Sequence, residues 1–133
     1  MTEAYLRDIL WPAMEERFLA LAQIPMPVET AVSEVLLPLS LEEAILACVR
    51  LLGRQGRLMD APEEAPQPAM CTFLGGKLSP CLLLLSVEET APVQVRVTAC
   101  AAAGILPRPG RAQSRADEAI KALILENRTK KRA

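Results

Sequence analysis

The 133 residues suit a single domain, and the 51% hydrophobic content supplies a core that must be aliphatic because only 3% of residues are aromatic. The chain has no histidine, which excludes Ser-His and Cys-His nucleophile pairs. The net charge is -1, but residues 108–133 hold eight basic and three acidic side chains. This asymmetry indicates either oriented docking on a charged partner or a solvated basic tail.

The cysteines form no C-x-x-C pair, and without histidine the usual zinc spacings are missing, so we expect no metal and no cofactor. Each lies in an apolar stretch, where a cysteine usually acts as a small buried hydrophobe. The chain shows no secretory signal pattern, and its apolar runs are too short to span a bilayer. Free thiols in this context favour a cytoplasmic location.

The first half of the chain reads as helix, strand, helix and loop. Apolar residues at three- and four-residue steps predict a helix over residues 3–23, in which Pro12 ends a first short helix or starts a second. Residues 33–37 are predicted as a strand. Ser40 and Glu43 form a capping-box pattern before a helix over residues 41–52. Gly53 is predicted to end that helix in a left-handed cap, and a proline-rich surface loop follows over residues 60–68.

The second half predicts three strands and a helix. The strands cover residues 70–74, 81–87 and 93–98, and a turn over 88–92 makes the last two antiparallel neighbours. The unbroken leucines of the middle strand favour burial on both faces, although a helix segment has the same pattern. Residues 101–113 are predicted as an exposed basic loop. Ser114 is predicted to cap a final helix that ends at Asn127, before a basic tail over 128–133.

These elements give the order α-β-α-β-β-β-α. We therefore predict one α+β domain over residues 1–127, with a mainly antiparallel sheet of four to five strands and helices packed on it.

The sequence offers little catalytic chemistry. A Ser-Lys pair stays open, but Lys77 and Lys121 are the lysines outside the tail. Glu42 and Glu43 are adjacent and point in different directions on a helix, which favours solvated charges. The glycines before Lys77 lack the spacing of a phosphate loop, so a turn is favoured. We predict a protein that is not an enzyme and does not bind nucleic acid, because the basic residues have no aromatic neighbours.

Four stretches carry a resemblance to a known family: residues 14–25 (MEERFLALAQIP), 40–53 (SLEEAILACVRLLG), 78–87, and 93–100 with the helix that follows. They resemble the platform subdomain at the C-terminus of vesicle-coat large subunits, the β-type subunits of clathrin adaptors and the γ subunit of coatomer. The resemblance implies an appendage that captures short peptides of accessory proteins in a shallow apolar groove. It also implies a possible larger coat complex and only indirect contact with Golgi or endosomal membranes.

The same resemblance suggests where the groove lies. Leu21 or Ala22 stands where family members carry a groove tryptophan, and Phe73 stands where they carry a tyrosine. Phe73 has a second interpretation as a core residue. Trp11 is either an exposed hot spot for binding or a hydrophobic plug beside Pro12.

Basic residues complete the candidate site. Lys77 and Arg96, together with Arg108 and Arg111, either meet acidic partner peptides or are solvated charges. We expect a monomer. The alternative is an acidic, dimeric adaptor resembling secretion chaperones, which would hold an unfolded client segment on exposed apolar surface.

Overall fold

A computed structural model describes residues 1–75, 79–106 and 108–132. A helical region of three segments opens the chain: α1 (Glu3–Tyr5), a π-helical segment (Leu6–Leu10) and α2 (Trp11–Ala22). The remaining elements are, in chain order, β1 (Val28–Leu37), α3 (Leu41–Gln55), β2 (Arg57–Asp60), β3 (Ala69–Leu74), β4 (Cys81–Ala91), β5 (Gln94–Gly104) and α4 (Arg111–Arg132). The α+β prediction is confirmed.

The five strands form one antiparallel sheet in the order β1-β5-β4-β3-β2. The predicted antiparallel pairing of the last two strands is confirmed. Strand β2 was not predicted, because its four residues do not alternate between apolar and polar side chains. Its pairing with β3 is what makes it a strand, with Arg57 opposite Phe73.

Helices cover both faces of the sheet and bury two apolar clusters. On one face of the sheet, Leu82 and Leu84 of β4 pack against the first helical region. That region contributes Leu10, Met14 and Phe18 to the same cluster. The alternate residues of β4 face α3 and α4, and they include Leu83 and Leu85. The run of leucines therefore belongs to a central strand that is buried on both faces, as predicted.

The capping box at the start of α3 is confirmed. Ser40 Oγ accepts a hydrogen bond from Glu43 N at 3.2 Å, and Glu43 Oε1 accepts one from Ser40 N at 3.4 Å. The predicted cap at Gly53 is wrong. Helix α3 continues to Gln55, and Gly56 N donates to Leu52 O at its end. Gly53 therefore lies inside the helix, which tolerates an isolated glycine at a modest cost.

The predicted basic loop over 101–113 is wrong at both ends, because β5 ends at Gly104 and α4 begins at Arg111. Strand β5 continues to Gly104, and the alanines Ala101–Ala103 are fully buried between β1 and β4. Alanine has a low strand propensity, but pairing on both sides outweighs that preference. The small side chains also leave room for helices to approach both faces of the sheet.

The last helix is longer at both ends than predicted. It begins at Arg111, so Ser114 lies in its first turn and is not the cap. The carboxylate of Glu29 in β1 takes the capping role instead: Glu29 Oε1 accepts from Gly110 N at 2.8 Å and from Ala112 N at 3.2 Å. The helix extends to Arg132, past its predicted end at Asn127, so the predicted tail is helical over residues 128–132.

The β4–β5 hairpin is tighter than predicted. Strand β4 extends to Ala91, and a two-residue turn of Pro92 and Val93 leads to Gln94. Val93 was predicted in the strand, but it has a φ of 55° and the residue is 61% exposed. A β-branched residue is strained in this left-handed region.

No helix among the described residues has both the length and the apolar character that a transmembrane span requires.

Candidate functional site

An apolar groove of about 470 Å³ lies at the end of the sheet where β3 and β5 end and β1 and β4 begin. All of its described lining residues except Gln23 are apolar, and they are Leu21, Ala22, Ile24, Met26, Phe73 and Pro80. They come from the last turn of α2, the link to β1, the end of β3 and the residue before β4. Such a surface suits an apolar side chain of a ligand.

The end of α2 shapes one wall of the groove. Gln23 follows the helix in a left-handed conformation, with φ of 60°, and its N–H donates to Leu19 O at 3.0 Å. This left-handed cap turns the chain away from the helix axis. The next residue, Ile24, is therefore 53% exposed.

Phe73 forms the opposite wall. Its ring centroid lies 6.1 Å from that of Phe18, with the planes tilted by 53°. This geometry is favourable for an aromatic pair, and Phe18 is itself fully buried. Phe73 remains half-buried and lines the groove. It therefore packs on the core and faces the groove at the same time.

Leu21 and Phe73, two of the five residues predicted for the site, line this same groove. They lie 52 positions apart in the sequence, and the pairing of β3 with β4 places Phe73 under the end of α2. The sequence did not single out Ile24, Met26 or Pro80. Their only signal was that they stand beside the predicted positions or beside a strand end.

Trp11 and Arg96 lie elsewhere. Trp11 begins α2 and packs, partly buried, on the cluster beneath that helix, about 15 Å from Leu21 along the helix axis. Arg96 pairs with Glu88 in the register of β4 and β5, and its Nη1 lies 3.6 Å from Glu88 Oε2. This position is about 20 Å along the sheet from the row of Phe73. Lys77 lies outside the described residues.

A second cavity, of about 500 Å³, lies toward the opposite end of the sheet. Residues of the first helical turns, the proline-rich loop and β4 line it, among them Tyr5, Pro66 and Glu88. The hydroxyl of Tyr5 donates to the backbone oxygen of Glu64 and joins the first helical region to that loop. This cavity could not be predicted from the sequence, because its walls come from segments far apart in the chain.

The cysteine thiols are buried and unreactive in character. Burial raises the pKa of Cys71 to about 11, and burial raises the pKa values of Cys48, Cys81 and Cys100 to about 12. Cys71 and Cys100 both stand opposite Leu84, on its two sides, so about 10 Å of sheet separates their backbones. That distance is too long for a disulfide. In the described part of the chain, no cluster of three or more Cys, Asp or Glu side chains is placed to hold a metal ion.

No family model matches the sequence, and no curated protein matches it.

Proposed function

We propose that this domain is a non-catalytic interaction module that binds short peptides of other proteins in the groove between α2 and Phe73. The observation that supports this most is the meeting of Leu21 and Phe73 in one open apolar groove. The resemblance to coat appendages singles out the same two positions. It suggests accessory proteins of vesicle coats as the partners and a monomer as the working form.

The residues of the groove form a surface that suits the binding of a ligand's side chain. Ile24 exposes about half of its surface there, and Phe73 is anchored from behind by Phe18. An aromatic ring that is held rigidly loses little conformational entropy when a ligand covers it. The exposed aliphatic surface next to this ring can exclude water from around a bound anchor side chain.

A phage-displayed library of random short peptides tests the proposal. We expect the wild-type chain to enrich peptides with a common apolar anchor, and we expect Ile24→Asp to abolish that enrichment. Ile24 is 53% exposed, so the variant should fold normally. Leu46→Asp is the matched control, because Leu46 is a 57% exposed aliphatic residue on α3 and lies outside the groove.

The proposal fails if the wild-type chain enriches no motif, or if Ile24→Asp enriches the same peptides as wild type. Light scattering on the 133-residue chain addresses the dimeric alternative. A mass near 14.5 kDa supports the monomer, and a mass near twice that value supports the chaperone-like adaptor.

A further inference from the structure

A basic pocket of about 690 Å³ adjoins the first turn of α4. Three arginines line it, Arg108, Arg111 and Arg115, with Glu118 as the one acidic residue among the described lining residues. Its remaining walls include two serines, Ser79 and Ser114. Three guanidinium groups outnumber two carboxylates, those of Glu118 and of Glu29, which accepts from Gly110 N of the lining. The pocket therefore has a net positive charge, which favours an anionic ligand.

The arginines of this pocket are poorly neutralised. The contact between Arg115 Nη1 and Glu118 Oε2 is long, at 3.9 Å, and both side chains are substantially exposed. Exposed pairs of this kind contribute little to stability. Arg108 is exposed and makes no hydrogen bond or ion pair with the described residues. The side chains of Arg108 and Arg115 are therefore available to a ligand.

Arg111 provides the strongest observation. Its Nη2 donates to Gly104 O at 2.8 Å and to Leu106 O at 2.7 Å, which holds the guanidinium group at the end of β5. Its Nε and Nη1 are buried, and neither has a hydrogen-bond partner among the described residues. Buried donors of a charged group are normally satisfied, so the Arg111 guanidinium retains hydrogen-bonding capacity that an acceptor oxygen at the pocket could use.

Two backbone amides at the start of α4 are already occupied, because Glu29 accepts from Gly110 N and Ala112 N. Recognition of an anion therefore relies mainly on the arginine side chains that line the pocket. Guanidinium groups bind the oxygens of a phosphate in pairs, with better geometry than a lysine offers.

The basic pocket and the apolar groove are neighbours. Ser79 lines the pocket, and the next residue, Pro80, lines the groove. Both sites reach Gly104: a Cβ built on it would be 2.6 Å from Met26 Sδ of the groove and 3.4 Å from Arg111 Nη2 of the pocket. One short peptide can therefore reach both sites at once.

We propose that the basic pocket binds a phosphorylated serine or threonine of the same peptide whose apolar side chain occupies the groove. This inference rests on the proposed function and adds the chemistry of the ligand. Arginine clusters are an established way of recognising phosphorylated peptides. Because the two sites are joined by a single residue step, the phosphate and the apolar anchor should lie close together in the peptide sequence.

The first arm of the test uses inorganic phosphate alone, titrated at constant ionic strength and followed by NMR. We expect shifts confined to the first turn of α4 and to the arginine Nε–H groups. The double variant Arg108→Gln/Arg115→Gln should weaken phosphate binding about 10-fold, since it removes two charged donors. Arg111 is left intact because it also supports the end of β5. Arg57→Gln, on exposed β2, is the control for a general loss of positive charge.

The second arm uses an array of synthetic peptides with one fixed leucine and one phosphoserine at every spacing within a short peptide, beside the same array with serine. We expect phosphopeptides of a narrow spacing range to bind about 10-fold more tightly than their serine counterparts. The double arginine variant should lose this preference. Ile24→Asp should weaken peptide binding and leave the titration with inorganic phosphate unchanged.

The two proposals fail in different ways. If the groove binds peptides but phosphorylation makes no difference, the inference about the pocket is wrong and the proposed function stands. If inorganic phosphate binds in the pocket but no peptide depends on Ile24, the proposed function is wrong, and the peptide assignment falls with it. Equal binding by wild type and the double arginine variant overturns the pocket. Tight binding to vesicles with phosphorylated headgroups, without any preference for phosphopeptides, also overturns the peptide assignment.

Discussion

Glu29 joins the first strand to the last helix, and its removal should weaken the whole fold. Its carboxylate accepts from Gly110 N at 2.8 and 3.1 Å and from Ala112 N at 3.2 Å. In Glu29→Ala both N–H groups lose their acceptor at the start of a 22-residue helix. The position is half-buried, so water replaces the carboxylate only in part.

The size of the effect follows from these contacts. Hydrogen bonds to a charged group contribute about 1.5–3 kcal/mol, and a negative charge at a helix N-terminus adds about 0.3–1 kcal/mol. Allowing for partial exposure, we expect Glu29→Ala to lower the free energy of unfolding by about 2–4 kcal/mol. The unfolding entropy of a chain of 133 residues is roughly 0.28 kcal/mol per K, so Tm should fall by about 7–14 °C.

Thermal unfolding followed by circular dichroism, together with urea titration, measures this loss. Glu29→Gln keeps an oxygen acceptor but loses the charge, so it should cost only about 1 kcal/mol. Glu34→Ala is the matched control, because Glu34 is an exposed glutamate of the same strand and forms none of these contacts. A Tm for Glu29→Ala within about 1 °C of the Glu34→Ala value would refute the capping role of the carboxylate.

Three further predictions concern the helix α3 and the thiols. Gly53→Ala should raise the free energy of unfolding by up to about 1 kcal/mol, because Gly53 lies within the helix and a Cβ there meets nothing within 4 Å. A lower urea midpoint for this variant would contradict the prediction. Ser40→Ala should lower the free energy of unfolding by about 1 kcal/mol, because the capping box is lost. Ser33→Ala, on β1, serves as the control. The free energy of unfolding should also fall as pH rises above about 9, because folding raises the thiol pKa values to about 11 or 12 and the thiols of the unfolded chain therefore ionise first. The expected slope is up to about 1.4 kcal/mol per pH unit for each buried thiol. Urea titrations at pH 8 and pH 10.5 measure this slope, and Cys48→Ala should reduce it by one thiol's share; an unchanged slope would show that other groups cause it.

Local signals in the sequence were sufficient for much of the fold. The capping box of Ser40 and Glu43 closes within four residues, so it depends on no distant contact and was predicted correctly. The alternation around Val95 and Val97 and the leucine run of β4 likewise reflect the period of a strand, and both strands were found. These patterns were enough for the α+β class and for the pairing of the last two strands.

Distant partners decided the elements that were predicted wrongly or not at all. Strand β2 exists because β3 pairs with it, and Ala101–Ala103 continue β5 because β1 and β4 bind them on both sides. The start of α4 depends on Glu29, which lies 81 positions before Gly110. Secondary-structure propensities describe a few neighbouring residues and therefore carry no information about such long-range contacts.

The candidate site divides in the same way. Phe73 and Leu21 were named from the sequence, but only the packing of α2 against β3 shows that they share a groove and that Trp11 and Arg96 do not. The groove adjoins a cluster of arginines at Gly104, where β5 ends. Because glycine has no side chain, both Met26 and Arg111 come close to the position that a Cβ would occupy there. The sequence alone thus determined the candidate residues and the regular spacing that predicts helices and strands. Which of those residues lie together in a site was decided by the tertiary structure, because the contacts join segments far apart in the chain.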